Sequence, residues 1–72
     1  MYPRADYYWL ITLYLHGRRF HFTGQVNAKG VPTFSVRQAE KMEFDSEWEA
    51  QIAKIALGDA PEYEVEEEKR KR

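Results

Sequence analysis

The sequence predicts a small α+β domain, a three-stranded antiparallel sheet of two consecutive hairpins with one C-terminal amphipathic helix packed on one face. Three observations carry that prediction. Two runs rich in aromatic and β-branched residues alternate in polarity, Tyr7 to Leu15 and Phe20 to Val26. Glycine-bearing turns follow each of them, His16-Gly17-Arg18-Arg19 and Asn27-Ala28-Lys29-Gly30. A capping box, Ser46-Glu47-Trp48-Glu49, then opens an apolar pattern of helical period that stops at Gly58.

In the first strand the odd positions Tyr7, Trp9, Ile11, Leu13 and Leu15 are all apolar or aromatic. Reading Gly17-Arg18 as a two-residue loop gives a type II′ turn and pairs Leu15 with Phe20, Leu13 with Phe22 and Trp9 with Val26. The second turn reads as a three-residue loop with glycine in the left-handed region. It sets Val26 opposite Pro32, Gly24 opposite Phe34 and Phe22 opposite Val36. Pro32 suits an edge strand, so the second strand is expected at the centre.

After Val36 the alternation weakens, which predicts a bulge or an early strand end. The helix is predicted from about Glu47 to Leu57, with Trp48, Ile52, Ile55 and Ala56 as the stripe facing the sheet. That packing makes Trp9, Ile11, Leu13, Leu15, Phe20, Phe22, Val26, Phe34, Val36, Trp48, Ile52 and Ile55 the core. Truncating Trp48 would then cost roughly 3–5 kcal/mol. Glu62-Tyr63-Glu64-Val65 alternates and is compatible with a short fourth strand. The domain is read as 1–65. Residues 66–72, an acidic block followed by a basic one, are expected to be disordered, so that deleting them would leave stability unchanged.

Composition narrows the function classes. The 72 residues contain no cysteine, which excludes disulfides and thiolate metal sites. A core this small leaves room for help from a partner chain or a second copy, and an edge strand offers one route to a homo-oligomer. The opening Met1 to Asp6 has no signal-peptide pattern and no apolar run is long enough to span a bilayer, so a cytoplasmic location is expected, in the host if a phage encodes the chain. Six basic side chains against three acidic ones up to Phe44 give +3, while five against nine from Asp45 onward give −4. The bulk charge is not that of a nucleic-acid binder.

One helix covers one face of a sheet, so the other face is the expected binding surface. The two registers place Tyr14, His21 and Arg37 in one row, with Tyr8, His16 and Arg19 nearby. Tyrosine and arginine are enriched in binding hot spots. A second candidate surface is acidic: Glu47, Glu62 and Glu64. Catalysis is not expected: His16 and His21 have no carboxylate beside them, Thr23 next to His21 lacks an orienting group, and the glycines form no phosphate loop. No metal or other cofactor is expected.

Three strands followed by a helix opened by Phe44-Asp45-Ser46-Glu47-Trp48-Glu49-Ala50 resemble the APETALA-type and integrase arm-binding domains. That resemblance covers about forty residues and implies a free sheet face docked in the DNA major groove. In size and lack of site chemistry the chain is also similar to phage-encoded inhibitors of host machinery, anti-CRISPR proteins among them. The expectation from both lines is a non-enzymatic protein-binding module of inhibitor type, with sheet-mediated DNA binding as the alternative.

Overall fold

The computed structural model describes residues 6–58 and 60–70; the expectations for Met1 to Ala5 and for Lys71 and Arg72 lie outside the described residues. Strands β1 (Tyr7–Leu15), β2 (Arg18–Val26), β3 (Pro32–Ser35) and β4 (Tyr63–Lys69) and helix α1 (Glu47–Ala56) follow one another with α1 between β3 and β4. They form one antiparallel sheet in the order β3-β2-β1-β4 with a single helix, the α+β class expected from the sequence.

The fourth strand is longer than its short alternating segment suggested. β4 pairs with β1 from Tyr7↔Lys69 to Leu13↔Tyr63, so Glu66 to Lys69 are strand and not a disordered tail. Charge alone predicted disorder because the run has little to bury. The partner strand supplies a full ladder of backbone bonds, and Arg19 on β2 supplies a cation for the carboxylates of Glu66 and Glu68. β1 is thereby interior, and Leu10, Ile11 and Thr12 are buried on both of its faces.

The first hairpin turns one residue earlier than expected. His16 and Gly17 both have positive φ, 52° and 76°, which makes a type I′ turn at His16-Gly17. The register becomes Leu13↔Phe20 and Thr12↔His21, displaced by two residues from the expected pairing. A displacement of two leaves every side chain on its expected face. The partners across the sheet are nevertheless different.

β2 stays with β1 only as far as His21. Beyond that the two strands fork, and the segment before the helix fills the gap. Met42 N–H donates to the Phe22 carbonyl at 2.9 Å, and Phe44 exchanges both backbone bonds with Trp9 at 2.8 and 2.9 Å. Gly24 makes the fork feasible. Its φ is +88°, and a Cβ there would lie 2.9 Å from Met42 Sδ. β2 bulges between Phe22 and Val26, so that Val26 pairs with Pro32 as expected but Phe22 pairs with Phe34. Met42, not Phe34, covers the strand glycine. β3 ends at Ser35, and a 3₁₀ turn at Gln38–Glu40 occupies the stretch of weakened alternation.

Helix α1 begins where the capping box predicted. Ser46 Oγ accepts from Glu49 N–H at 3.1 Å and donates to the Glu49 carboxylate at 3.1 Å. Its rotation about its own axis is the main departure from expectation. The side facing the sheet carries Ala50, Ala53 and Leu57, packed with Ile11, Phe22, Phe44, Trp9, Tyr63 and Val65. Phe22, Phe34 and Tyr63 form a chain of tilted rings over the same face, with centroids 5.8 and 5.2 Å apart. Small residues on the inner side let the helix lie close to a surface already crowded with rings. Trp48, Ile52 and Ile55 are therefore turned outward, and Leu15, Val26 and Val36 are exposed as well. Half of the expected core lies on the surface.

Candidate functional site

The sheet face away from the helix is built differently from the open row expected of it. Tyr14 lies opposite Arg19, while His21 lies in a row with Thr12 and Ser35. Arg37 follows the end of β3. The two-residue change in register thus separates Tyr14, His21 and Arg37. His21 is buried at 2% exposure and its Nε2–H donates to the Arg37 carbonyl at 2.7 Å. The Arg37 guanidinium points outward, 3.9 Å from Glu40. His16 is exposed in the turn, away from His21. Thr23 bonds to Thr33 and not to a histidine.

β4 changes the charge of this face. Its register sets Glu64, Glu66 and Glu68 opposite Thr12, Leu10 and Tyr8. Arg19 reaches across β1 to Glu66 at 2.9 Å and Glu68 at 2.6 Å. Tyr14 Oη donates to Glu66 at 2.8 Å, and Tyr8 Oη donates to Glu68 at 2.6 Å and accepts from Lys41. Lys41 also donates to Gln38 Oε1 at 2.8 Å. Tyr8 is almost fully buried, at 3%, between this network and the cations of Lys41 and Arg70 over its ring, 4.6 and 5.2 Å from the centroid.

The network shifts its own titrations. Burial raises the Tyr8 phenol, and its hydrogen bond to Glu68 adds to the rise. For Tyr14 the bond to Glu66 is the larger cause of a raised value, with desolvation second. Burial acts to raise Glu68, but hydrogen bonds from Tyr8 and Arg19 outweigh it and hold the carboxyl below its usual range. Burial likewise opposes the charge on Arg19, and the bonds and charges of Glu68 and Glu66 reverse that. Tyr8, Tyr14 and Arg19 thus meet in-chain partners that tie β4 to β1 and β2, and His21 ties β2 to the segment after β3. The cleft beside them, lined by Tyr8, Gln38, Lys41, Glu43, Glu68 and Arg70, is crossed by Arg70–Glu43 at 2.5 Å and by the Tyr8–Glu68 bond.

The acidic candidates Glu47, Glu62 and Glu64 do not share a surface. Glu47 is in the first turn of α1, over one face of the sheet. Glu64 lies on the other face, and Glu62 precedes β4. Among the described residues no group of three or more His, Cys, Asp or Glu is placed to hold a metal ion. No described helix is long and apolar enough to cross a membrane.

The surface that sequence reasoning missed is the outer side of α1. Trp48, Ile52 and Ile55 are 72, 48 and 64% exposed and recur at i, i+4 and i+7, so they form one stripe two turns long. Asp45, Glu47 and Glu49 surround its Trp48 end, and Gln51 and Ala56 border the remainder. A signal for it was present in the sequence. Ala50, Ala53 and Leu57 make a second apolar stripe on the opposite side of the same helix, and one sheet face can bury only one of the two. No family model matches this chain, and neither a curated protein nor a solved structure matches it.

Proposed function

We propose that this protein is a non-enzymatic protein-binding module whose contact surface is the outer side of α1. One observation carries the reading: the largest side chain of the helix, Trp48, stands in solvent in line with two isoleucines, while alanines hold the helix to the sheet. A contiguous exposed apolar patch on a small domain marks an interaction site. Helical anchors at this spacing are the usual means by which a helix enters an apolar groove. Tryptophan is among the residues most enriched in binding hot spots. Inhibition of host machinery by a phage-encoded chain is the finer form of this reading and rests on size and absence of site chemistry alone.

The sheet face offers less to a nucleic acid. β4 adds three glutamates to it, and Arg19 is engaged by two of them. Phosphate contacts dominate DNA affinity, so a face of this charge does not favour docking in a groove.

Parallel capture from nuclease-treated lysate with the wild type, with Trp48→Ala and with the double variant Tyr14→Ala/Arg37→Ala tests the proposal. The expected result is a set of proteins bound by wild type and by the sheet-face variant but lost with Trp48→Ala. Retention by Trp48→Ala with loss in the sheet-face variant would move the site to the sheet.

A further inference from the structure

The shape and charge of the stripe also say what it fits. Its bulk is graded: Trp48 at the N-terminal end, Ile52 in the middle, and Ile55 beside the small Ala56 at the C-terminal end. An antiparallel copy of the same helix, related by a twofold axis at Ile52, brings Ile52 against Ile52 and Trp48 against Ala56 twice over. Large meets small at each end, as a well-packed helix pair requires. The same operation sets Glu49 against Ile55, where its methylene stem covers apolar surface and its carboxylate stays in water. Within α1 itself no acid is brought onto an acid. A parallel pair would gather Asp45, Glu47 and Glu49 of both copies around two aligned helix N-termini and leave Trp48 against Trp48.

We infer that the outer side of α1 binds a second copy of this chain in an antiparallel, twofold arrangement centred on Ile52. The inference rests on the reading of that side as the contact surface and names its occupant. Strand addition is the other familiar route to a dimer, and both sheet edges oppose it. β3 is four residues long and begins with Pro32, and β4 carries Glu64, Glu66, Glu67, Glu68 and Lys69 along its length. The helix stripe has neither obstacle. Its three anchors and the stems beside them bury on the order of 500 Å² per copy, below the roughly 800 Å² of a standard partner surface. A surface of this size belongs to the weak, concentration-dependent class of interfaces.

Sedimentation equilibrium from about 5 μM to 1 mM tests the association, and single cysteines in this cysteine-free chain test the geometry. The wild type should pass from its 8.6 kDa monomer mass towards twice that value as concentration rises. Trp48→Ala should remain monomeric with an unchanged circular dichroism spectrum. Under mild oxidation Ile52→Cys, on the axis, should form a disulfide-linked dimer, and Ile55→Cys, on the same stripe but off the axis, should not. Equal cross-linking at both positions would indicate a parallel pair and overturn the arrangement. A wild type that stays monomeric at the highest concentration overturns the second copy as occupant; if Trp48→Ala then still loses captured proteins, the module reading survives with an unlike partner. Dimerisation unaffected by Trp48→Ala overturns the stripe as the dimer surface and leaves the module reading to the capture experiment.

Discussion

The two sides of α1 divide the work of this chain unequally. The inner side is made of Ala50, Ala53 and Leu57 and contributes closeness rather than bulk: it brings the helix down onto Ile11, Phe22 and Phe44. The outer side carries more apolar surface and buries less of it, with Trp48 and Ile55 mostly in water. The difference teaches that the larger stripe of an amphipathic pattern is not necessarily the one that faces the core. Packing density decides, because a sheet face already filled by aromatic rings accepts methyl groups where it would exclude an indole.

Three substitutions and one deletion would break or sharpen this contrast. The largest effect is expected beneath the inner side. Ile11→Ala, at a fully buried position of the interior strand, should cost roughly 2–5 kcal/mol and leave the domain partly unfolded at 25 °C, as read by urea denaturation. A comparable loss is expected from deleting Glu66 to Arg72. That deletion removes more than half of the β4 ladder and leaves Arg19 and Tyr8 without their carboxylate partners. A truncated chain with an unchanged melting temperature would show that the strand adds nothing to stability.

Overfilling the inner side should cost less. Ala50→Leu inserts bulk at a position with no exposure and should destabilise by about 1–3 kcal/mol, together with a change in the near-ultraviolet signal of the packed rings. The smallest effect concerns charge. Glu68 is held below the usual carboxylate range in the folded state, so the stability it contributes is present above the unfolded-state value and is lost as pH falls through the folded one. Glu68→Gln should therefore flatten the acid limb of the stability profile and, by removing one cause of the raised Tyr8 phenol, leave on the alkaline side the part of that rise that burial sustains. That phenol contributes below its unfolded value and loses its contribution as pH rises through the folded one.

The fold class, the two hairpins, the helix and its cap were legible because each rests on local rules: alternation, glycine at a turn, and serine three residues before glutamate. The face assignment in β1 and β2 also held, since a displacement of two residues preserves parity. The exact partners did not, because His16 takes the left-handed conformation that a sequence reader assigns first to glycine alone. β4 was only partly legible. Glu66, Glu67 and Glu68 resemble a solvated run until Arg19, Tyr8 and Tyr14 are seen arriving from other strands. The same long-range pairing engages Tyr8, Tyr14 and Arg19, three of the expected binding residues, within the sheet. The helix side was misassigned because size was taken as the mark of burial, and no local rule ranks one apolar stripe against another.

The central claim is that Trp48 belongs to a contact surface and not to the core. Equilibrium urea unfolding of Trp48→Ala at low micromolar concentration, where a weak dimer dissociates, tests it most directly. A stability within about 0.5 kcal/mol of wild type is predicted, as for any exposed side chain without a structural partner. A loss of roughly 3–5 kcal/mol, the cost of emptying a buried indole site, would place Trp48 in the core and contradict the account.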